Sequence, residues 1–519
     1  MKISNRLRLF LFGLIGILYF LVINPHPDFT KFNAHDSGSY LALSYNMVHG
    51  QGYTRNISEE SYIPHTLWPP GMAILVMPAI LAGGDLINWL AVKTTMIIIG
   101  LLGIALAWFY LRRICGLLVA DLAAFFIAIN PYYWHFSHIV LAEVPLLTWI
   151  FGSLLLIDYY WSNRQISMQE SFLTGLFIGL GMLIKGSVLG LGLAPLGYIL
   201  IRNKSNFTIK TFVVRYIIFA LAFSIPFLLW SARNQGIDTT GLGLDGVSQV
   251  KMILKEIPED PDSRYRSLAE IIKTIKQNIL WYGIYHLPNQ IIPGLMEIGK
   301  EGYQYKNFFY SFLTLLILVL MIPFKLRLTP ILLTIIPMFL LILPLSIGGS
   351  ARYWFPISIL ASILVIDKII TMLRKLNIDS NQKKIFASLL SFTLLSIFLG
   401  NIYLYITSFS RNPYGAQEPL TELAELFENF SGYCGKEKKM TVYTRNPYVF
   451  RLITGCYAPM SNEKLGIQPK YTHAIINSKN LEKAHENVEI ISEVSPWVLV
   501  NLNGEYTELE IKFRYALIE

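Results

Sequence analysis

The chain has 519 residues, 53% of them hydrophobic and 15% charged, with a net charge of +9. So apolar a composition excludes an ordinary soluble protein of this size, and its repeated apolar runs of about 17–25 residues read as membrane helices. The positive charge sits in loops between those runs, so it does not indicate a nucleic-acid partner.

In chain order, candidate spans fall at 8–24, 87–111, 114–131, 142–161, 171–184, 187–201, 212–230, 306–323, 329–346, 354–371 and 386–407. The first follows Lys2, Arg6 and Arg8 and leads into Asn24-Pro25-His26-Pro27 rather than a small-residue cleavage site. It is therefore a retained span, not a signal peptide. Segment 71–83 is apolar but short, and is expected as a re-entrant or interfacial helix. Alternate loops carry Lys2/Arg6/Arg8, Arg112/Arg113, Arg164, Arg202/Lys204/Lys210, Lys325/Arg327 and Arg374/Lys375/Lys383/Lys384. The opposite short loops hold only Lys185 and Arg352. This positive-inside pattern puts the N-terminus in the cytoplasm and the C-terminal tail outside.

Three blocks are expected. Residues 1–407 form a mainly α, polytopic membrane domain with two long outer loops, 25–86 and 231–305, of a length that usually serves function. Residues 408–415 are a polar hinge. Residues 416–519 read as a small extracytoplasmic α/β unit. In it, Leu420, Leu423, Phe427 and Phe430 mark a helix face, 446–453 a helix stopped by Gly455, and 440–444, 473–477 and 497–501 strands. Cys115 lies at a cytoplasmic helix end. Cys434 and Cys456 lie in the outer tail, where a disulfide and two free thiols both remain open.

Chemistry-bearing residues recur at the outer ends of the spans: Asp36, His65, Glu143, Lys185, Arg233 and Arg352. Ionisable groups at a membrane are costly and so point to function. Two carboxylates, a histidine and three cations suit an anionic substrate with an exchangeable group, such as a sugar on a polyprenyl phosphate. A carboxylate would take the proton of an acceptor hydroxyl attacking the anomeric carbon. Cations would stabilise the departing lipid phosphate. Asp36, in His35-Asp36-Ser37-Gly38-Ser39-Tyr40, is the candidate base; a helix cap is the plain alternative. A short helix from Tyr40 to His49, stopped by Gly50, is expected to follow it. Glu143, in Leu141-Ala142-Glu143-Val144-Pro145, is a second site acid or a helix-start carboxylate. Lys185, Arg233, Arg352, Tyr353 and His65 are candidates for the donor phosphate, and Tyr40 and Trp68 for the rest of the substrate. His135 and His138 are a weak metal signal; a divalent cation stays open and no other cofactor is expected.

Asp36-Ser-Gly-Ser-Tyr40, Gly50-Gln-Gly52-Tyr53 and Pro64-His65…Trp68-Pro69-Pro70-Gly71 together resemble the first outer loop of the GT-C glycosyltransferases. The bacterial protein-mannosyltransferase-like group, which includes the aminoarabinose transferases of lipid A, is the most similar branch. Leu141–Pro145, Gly175–Ser187 with Lys185, Trp230-Ser-Ala-Arg233-Asn234 and Arg352-Tyr353 resemble its later motifs in order. The resemblance implies an inverting transferase using a polyprenyl-phosphate sugar, with Asp36 in the active site. It implies a lipid, polysaccharide or protein acceptor and a bacterial inner membrane. Where many relatives have two adjacent acids, Asp36 is followed by Ser37. A polyprenyl-linked glycan flippase and a non-catalytic glycan-binding scaffold are the competing classes. In a eukaryote the same face would meet the endoplasmic reticulum lumen, and Asn56-Ile57-Ser58 would be a glycosylation site.

Overall fold

A computed structural model gives the fold. It describes residues 36–55, 64–84, 87–162, 166–199, 208–238, 248–256, 263–291, 308–322, 326–345 and 351–375, four strands between 442 and 506, and positions 13, 16, 17, 400, 426, 450 and 511. The expected first and last spans, the hinge, the tail helices, Cys434, Cys456 and Asn56 lie outside the described residues.

Helix α1 (Asp36–Val48) begins a turn earlier than the sequence suggests, so Asp36 is part of its first turn. Gly50, at φ +73°, ends it in the left-handed region that glycine tolerates best. The chain then folds back through a bridge between Thr54 and Pro64 into α2 (Gly71–Leu81), the expected short helix. Gly71 is required here, because a Cβ would strike the backbone at Leu183.

Among the described residues four helices are long and apolar enough to cross a membrane: α3 (Trp89–Ile114), α6 (Glu143–Trp161), α8 (Ile209–Gln235) and α14 (Ala351–Lys375). The expected span 114–131 is instead α4 (Leu117–Ala128) bent by 63° into α5 (Pro131–His138). The break is local chemistry: Pro131 starts a helix, and the Asn130 side chain caps it at Tyr132 N and Tyr133 N. Expected spans 171–184 and 187–201 are α7 (Met168–Leu180), which tightens through Gly181–Leu183, and a 3-10 run, Gly186–Ile199. At about 2.0 Å per residue, fourteen 3-10 residues extend about 28 Å, close to a hydrocarbon core's thickness. Glycines let this run pack tightly: Gly190 lies on the Thr334 carbonyl and Gly197 on Pro330. Likewise Gly175 and Gly179 press α7 on α8 at the carbonyls of Phe219 and Phe223, a small-xxx-small contact.

The second long loop is more structured than expected. It holds α9 (Gln249–Leu254), α10 (Leu268–Leu280) and a π turn, Trp281–His286, running into α11 (Leu287–Ile291). Ser267 and Glu270 form a capping box that starts α10. Arg264 bridges Glu256 at 2.7 Å and Glu270 at 2.8 Å, and Asn278 donates to the carbonyls of Leu343 (2.7 Å) and Leu345 (2.9 Å). Those carbonyls follow α13 (Thr329–Ile342), which α12 (Phe308–Met321) precedes at an angle of 109°. One apolar core runs through these helices, from Leu41 and Met72 through Tyr133 and Phe151 to Phe355.

In the C-terminal region β1 (Val442–Tyr443), β2 (Tyr471–Asn477), β3 (Glu489–Val494) and β4 (Trp497–Tyr506) form one sheet in the order β1-β2-β4-β3. β1 and β2 are parallel and the other pairs antiparallel. The sequence reading missed β3. Ala474, Ile476, Val498 and Val500 form the sheet's buried side.

Candidate active site

Helix ends build the site. Asp36 opens α1, Glu143 opens α6, Lys185 sits in the turn between α7 and the 3-10 run, and Arg352 is at the start of α14. All four line one cavity of about 310 Å³, together with Tyr40, Trp68 and Tyr353. The remaining wall is mostly apolar, with Leu189, Phe227, Met252, Ile253, Leu341 and Leu345 among its residues and Ser187 its polar exception. Two carboxylates and two cations therefore share one partly open cleft that continues into a greasy one.

The charges are cross-paired. Arg352 is ion-paired with Asp36. Lys185 Nζ lies 2.7 Å from Glu143 Oε1, with the Glu143 side chain 3% exposed. Tyr353 stands between the two cations: Lys185 Nζ and the Arg352 guanidinium each lie 5.0 Å from its ring centre. Arg352 also donates to the Tyr353 hydroxyl at 3.2 Å. Cation–π contact of this kind holds a cation without neutralising it. The second Glu143 oxygen, Oε2, is buried and has no hydrogen-bond partner among the described residues. A buried acceptor left unpaired is costly, so it marks a place where a donor is missing.

Tyr40 and Trp68 pack at 5.5 Å between ring centres. Burial, with Asp36 and Glu143 adding to it, pushes the Tyr40 phenol well above its ordinary pKa. Tyr40 is thus a neutral hydroxyl facing the cavity. Trp68 is held from three sides, by Tyr40, by the His65 ring at 4.9 Å and by the Arg55 guanidinium at 5.1 Å. Arg55 is buried and donates to Ser39 Oγ at 3.0 Å, tying this loop to α1.

His65 and Arg233 stand apart from the cavity. His65 is fully buried, and its Nε2 accepts the Trp68 backbone N–H at 2.9 Å. Arg233 donates to the His65 carbonyl at 2.6 Å, and Asn234 to the Thr66 carbonyl at 3.1 Å. Tyr53 completes this pin by donating to the Trp68 carbonyl at 2.6 Å, while Arg233 covers the rings of Tyr53 (5.7 Å) and Trp230 (5.0 Å). These residues fasten the first loop to the end of α8. Sequence reasoning missed Arg55, the Tyr53 hydroxyl, and Met252 and Ile253 of the cavity wall. The last two had a usable signal in the Ser267…Glu270 capping pattern, which shows that loop to be structured.

Among the described residues no group of three or more His, Cys, Asp or Glu side chains converges to hold a metal ion. The cavity's two carboxylates are each ion-paired, a poor match for a hard divalent cation that takes about six oxygen ligands.

The described helices thus form an apolar bundle with a charged cavity at one end. Residues 73–230 match the model of a family described as dolichyl-phosphate-mannose-protein mannosyltransferase. Among solved structures, ArnT from Cupriavidus metallidurans bound to undecaprenyl phosphate is similar at TM-score 0.56 and 13% identity, covering 96% of this chain and 98% of that one. Its apo state is similar at TM-score 0.51 and 13% identity, over 95% and 97%. The Archaeoglobus fulgidus oligosaccharyltransferase tethered to an acceptor peptide is similar at TM-score 0.50 and 13% identity, over 93% of this chain and 70% of that one. No curated protein sequence matches significantly. The chain has the fold of the polytopic GT-C structures and is a membrane protein.

Proposed function

We propose that the protein transfers a sugar from a polyprenyl phosphate to an acceptor at the extracytoplasmic face of the membrane, with inversion at the anomeric carbon. One observation supports this above all: Asp36, Glu143, Lys185 and Arg352 line one cavity whose remaining wall is mostly apolar. The isoprenoid chain would lie along Phe227, Leu341 and Leu345, with its phosphate at Lys185 and Arg352. Asp36 would accept the acceptor's proton as its oxygen attacks the anomeric carbon from the face opposite the phosphate. The sugar–oxygen bond breaks, its electron pair leaves with the lipid phosphate, and the two cations neutralise the charge that develops. Tyr353 holds those cations side by side. Tyr40 donates to the sugar and Trp68 packs on its ring. Glu143 Oε2 takes a donor from the bound substrates.

Arg233 and His65 act in this scheme by fixing Trp68, not by binding phosphate. Residues 1–407 form the catalytic domain, 408–415 its hinge and 416–519 an extracytoplasmic domain, in a bacterial inner membrane.

The test compares cells lacking the protein with complemented cells, by mass spectrometry of surface glycans and polyprenyl-phosphate sugars. Loss of one glycan substituent with build-up of the matching lipid-phosphate sugar supports transfer and names both substrates. Loss of the substituent with the lipid-phosphate sugar confined to the cytoplasmic leaflet favours transport instead.

A further inference from the structure

The two ion pairs have a consequence for the order of events. In the resting site every cation that could receive a phosphate is occupied by a carboxylate, Arg352 by Asp36 and Lys185 by Glu143. The same contacts occupy the carboxylates. Asp36 also lies in the first turn of α1, at the positive end of the helix dipole. A carboxylate whose oxygen is already taken by a guanidinium is a poor partner for an acceptor hydroxyl.

We propose that the donor's phosphate unmasks the base. Building on the transferase reading, the phosphate displaces both carboxylates from Lys185 and Arg352 and takes their hydrogen bonds. Asp36 and Glu143 then face the cavity without cations. Asp36 is open to an acceptor hydroxyl only when a donor is present, and the acceptor binds second. Tyr353 makes the exchange feasible, because its ring keeps both cations in place while their carboxylate partners leave. Glu143 is already prepared for new partners, since its Oε2 has none among the described residues. The resting cavity is neutral, with two negative and two positive side chains, and the donor's phosphodiester brings it to one net negative charge while the carboxylates turn to substrate hydroxyls.

The 2.7 Å Lys185–Glu143 pair provides a direct readout. A carbodiimide condenses an adjacent carboxylate and amine into an amide, so the resting protein in nanodiscs should yield a Lys185–Glu143 cross-linked peptide. Undecaprenyl phosphate at about ten times its dissociation constant should reduce that peptide about tenfold. Undecaprenol, without phosphate, should leave it unchanged, which separates displacement from simple blocking. Inorganic phosphate at millimolar concentration distinguishes a free anion from a lipid headgroup: a matching loss means the phosphate alone suffices. Native mass spectrometry records lipid retention in the same samples. Retained undecaprenyl phosphate with an undiminished cross-link overturns the exchange but leaves the transferase reading standing. Failure to retain the lipid overturns both. Absence of the cross-link from the resting protein overturns the exchange alone.

Discussion

Asp36 and Arg352 are 316 positions apart in the chain, yet they are partners, and the reactivity of each depends on the other. Asp36→Asn keeps the shape and loses the base, so transfer should fall about a hundredfold to ten-thousandfold with the protein still folded. Detergent-stable expression together with a turnover assay checks it; near-normal turnover would mean that Asp36 is only a helix-start residue. Tyr353 separates two contributions. Tyr353→Phe retains the ring between Lys185 and Arg352 and loses only the hydroxyl bond to Arg352. Tyr353→Leu removes the ring, and with it about 0.5–2 kcal/mol of cation–π support per cation. Turnover should therefore fall far more in Tyr353→Leu than in Tyr353→Phe; equal loss in both would assign the role to the hydroxyl. Arg233 gives the opposite kind of expectation. Arg233→Met breaks the bond to the His65 carbonyl and loosens Trp68, so turnover should drop while undecaprenyl phosphate retention persists. Loss of retention would return Arg233 to the phosphate site.

At the scale of elements, packing depends on glycine where two backbones meet. Gly175→Leu places a side chain against the Phe219 carbonyl, and the α7–α8 pair must separate. A cost of about 1–3 kcal/mol or more is expected from such overpacking, seen as a lower thermal midpoint in detergent. The loop carrying α9 and α10 has an electrostatic clasp. Arg264 and the Ser267 cap pull the Glu270 carboxyl down to about 2. A depressed carboxylate stabilises the folded form above its unfolded value of about 4.3 and loses that contribution as pH falls toward 2. Exchange of amide hydrogens in 264–270, corrected for the intrinsic pH effect, should rise between about pH 4.5 and 2. Glu270→Gln should remove that rise, because no charge remains to be lost.

Over the whole molecule, the sequence was most legible where one property repeats along one helix. Apolar runs located α3, α6, α8 and α14, and the cations that break the positive-inside pattern, Lys185 and Arg352, both line the cavity. Less legible were features that depend on a distant partner. A 3-10 run cannot be told from an α-helix by composition; Gly186–Ile199 needs the Thr334 carbonyl beside Gly190 to explain it. Arg233 and His65 share the residue types of a phosphate site, and only their bonds to carbonyls and to the Trp68 N–H set them apart. The cross-pairing of Asp36 with Arg352 and Glu143 with Lys185 likewise depends on how helices meet, which no local pattern encodes.

One measurement bears most directly on the proposed transfer. Cells lacking the protein would be complemented with wild type or Asp36→Asn at matched membrane levels, and their polyprenyl-phosphate sugars and surface glycans weighed by mass spectrometry. Wild type alone should restore one glycan substituent, and the corresponding lipid-phosphate sugar should accumulate with Asp36→Asn. Full restoration by Asp36→Asn would contradict a catalytic carboxylate at this position and put transport or scaffolding ahead of transfer.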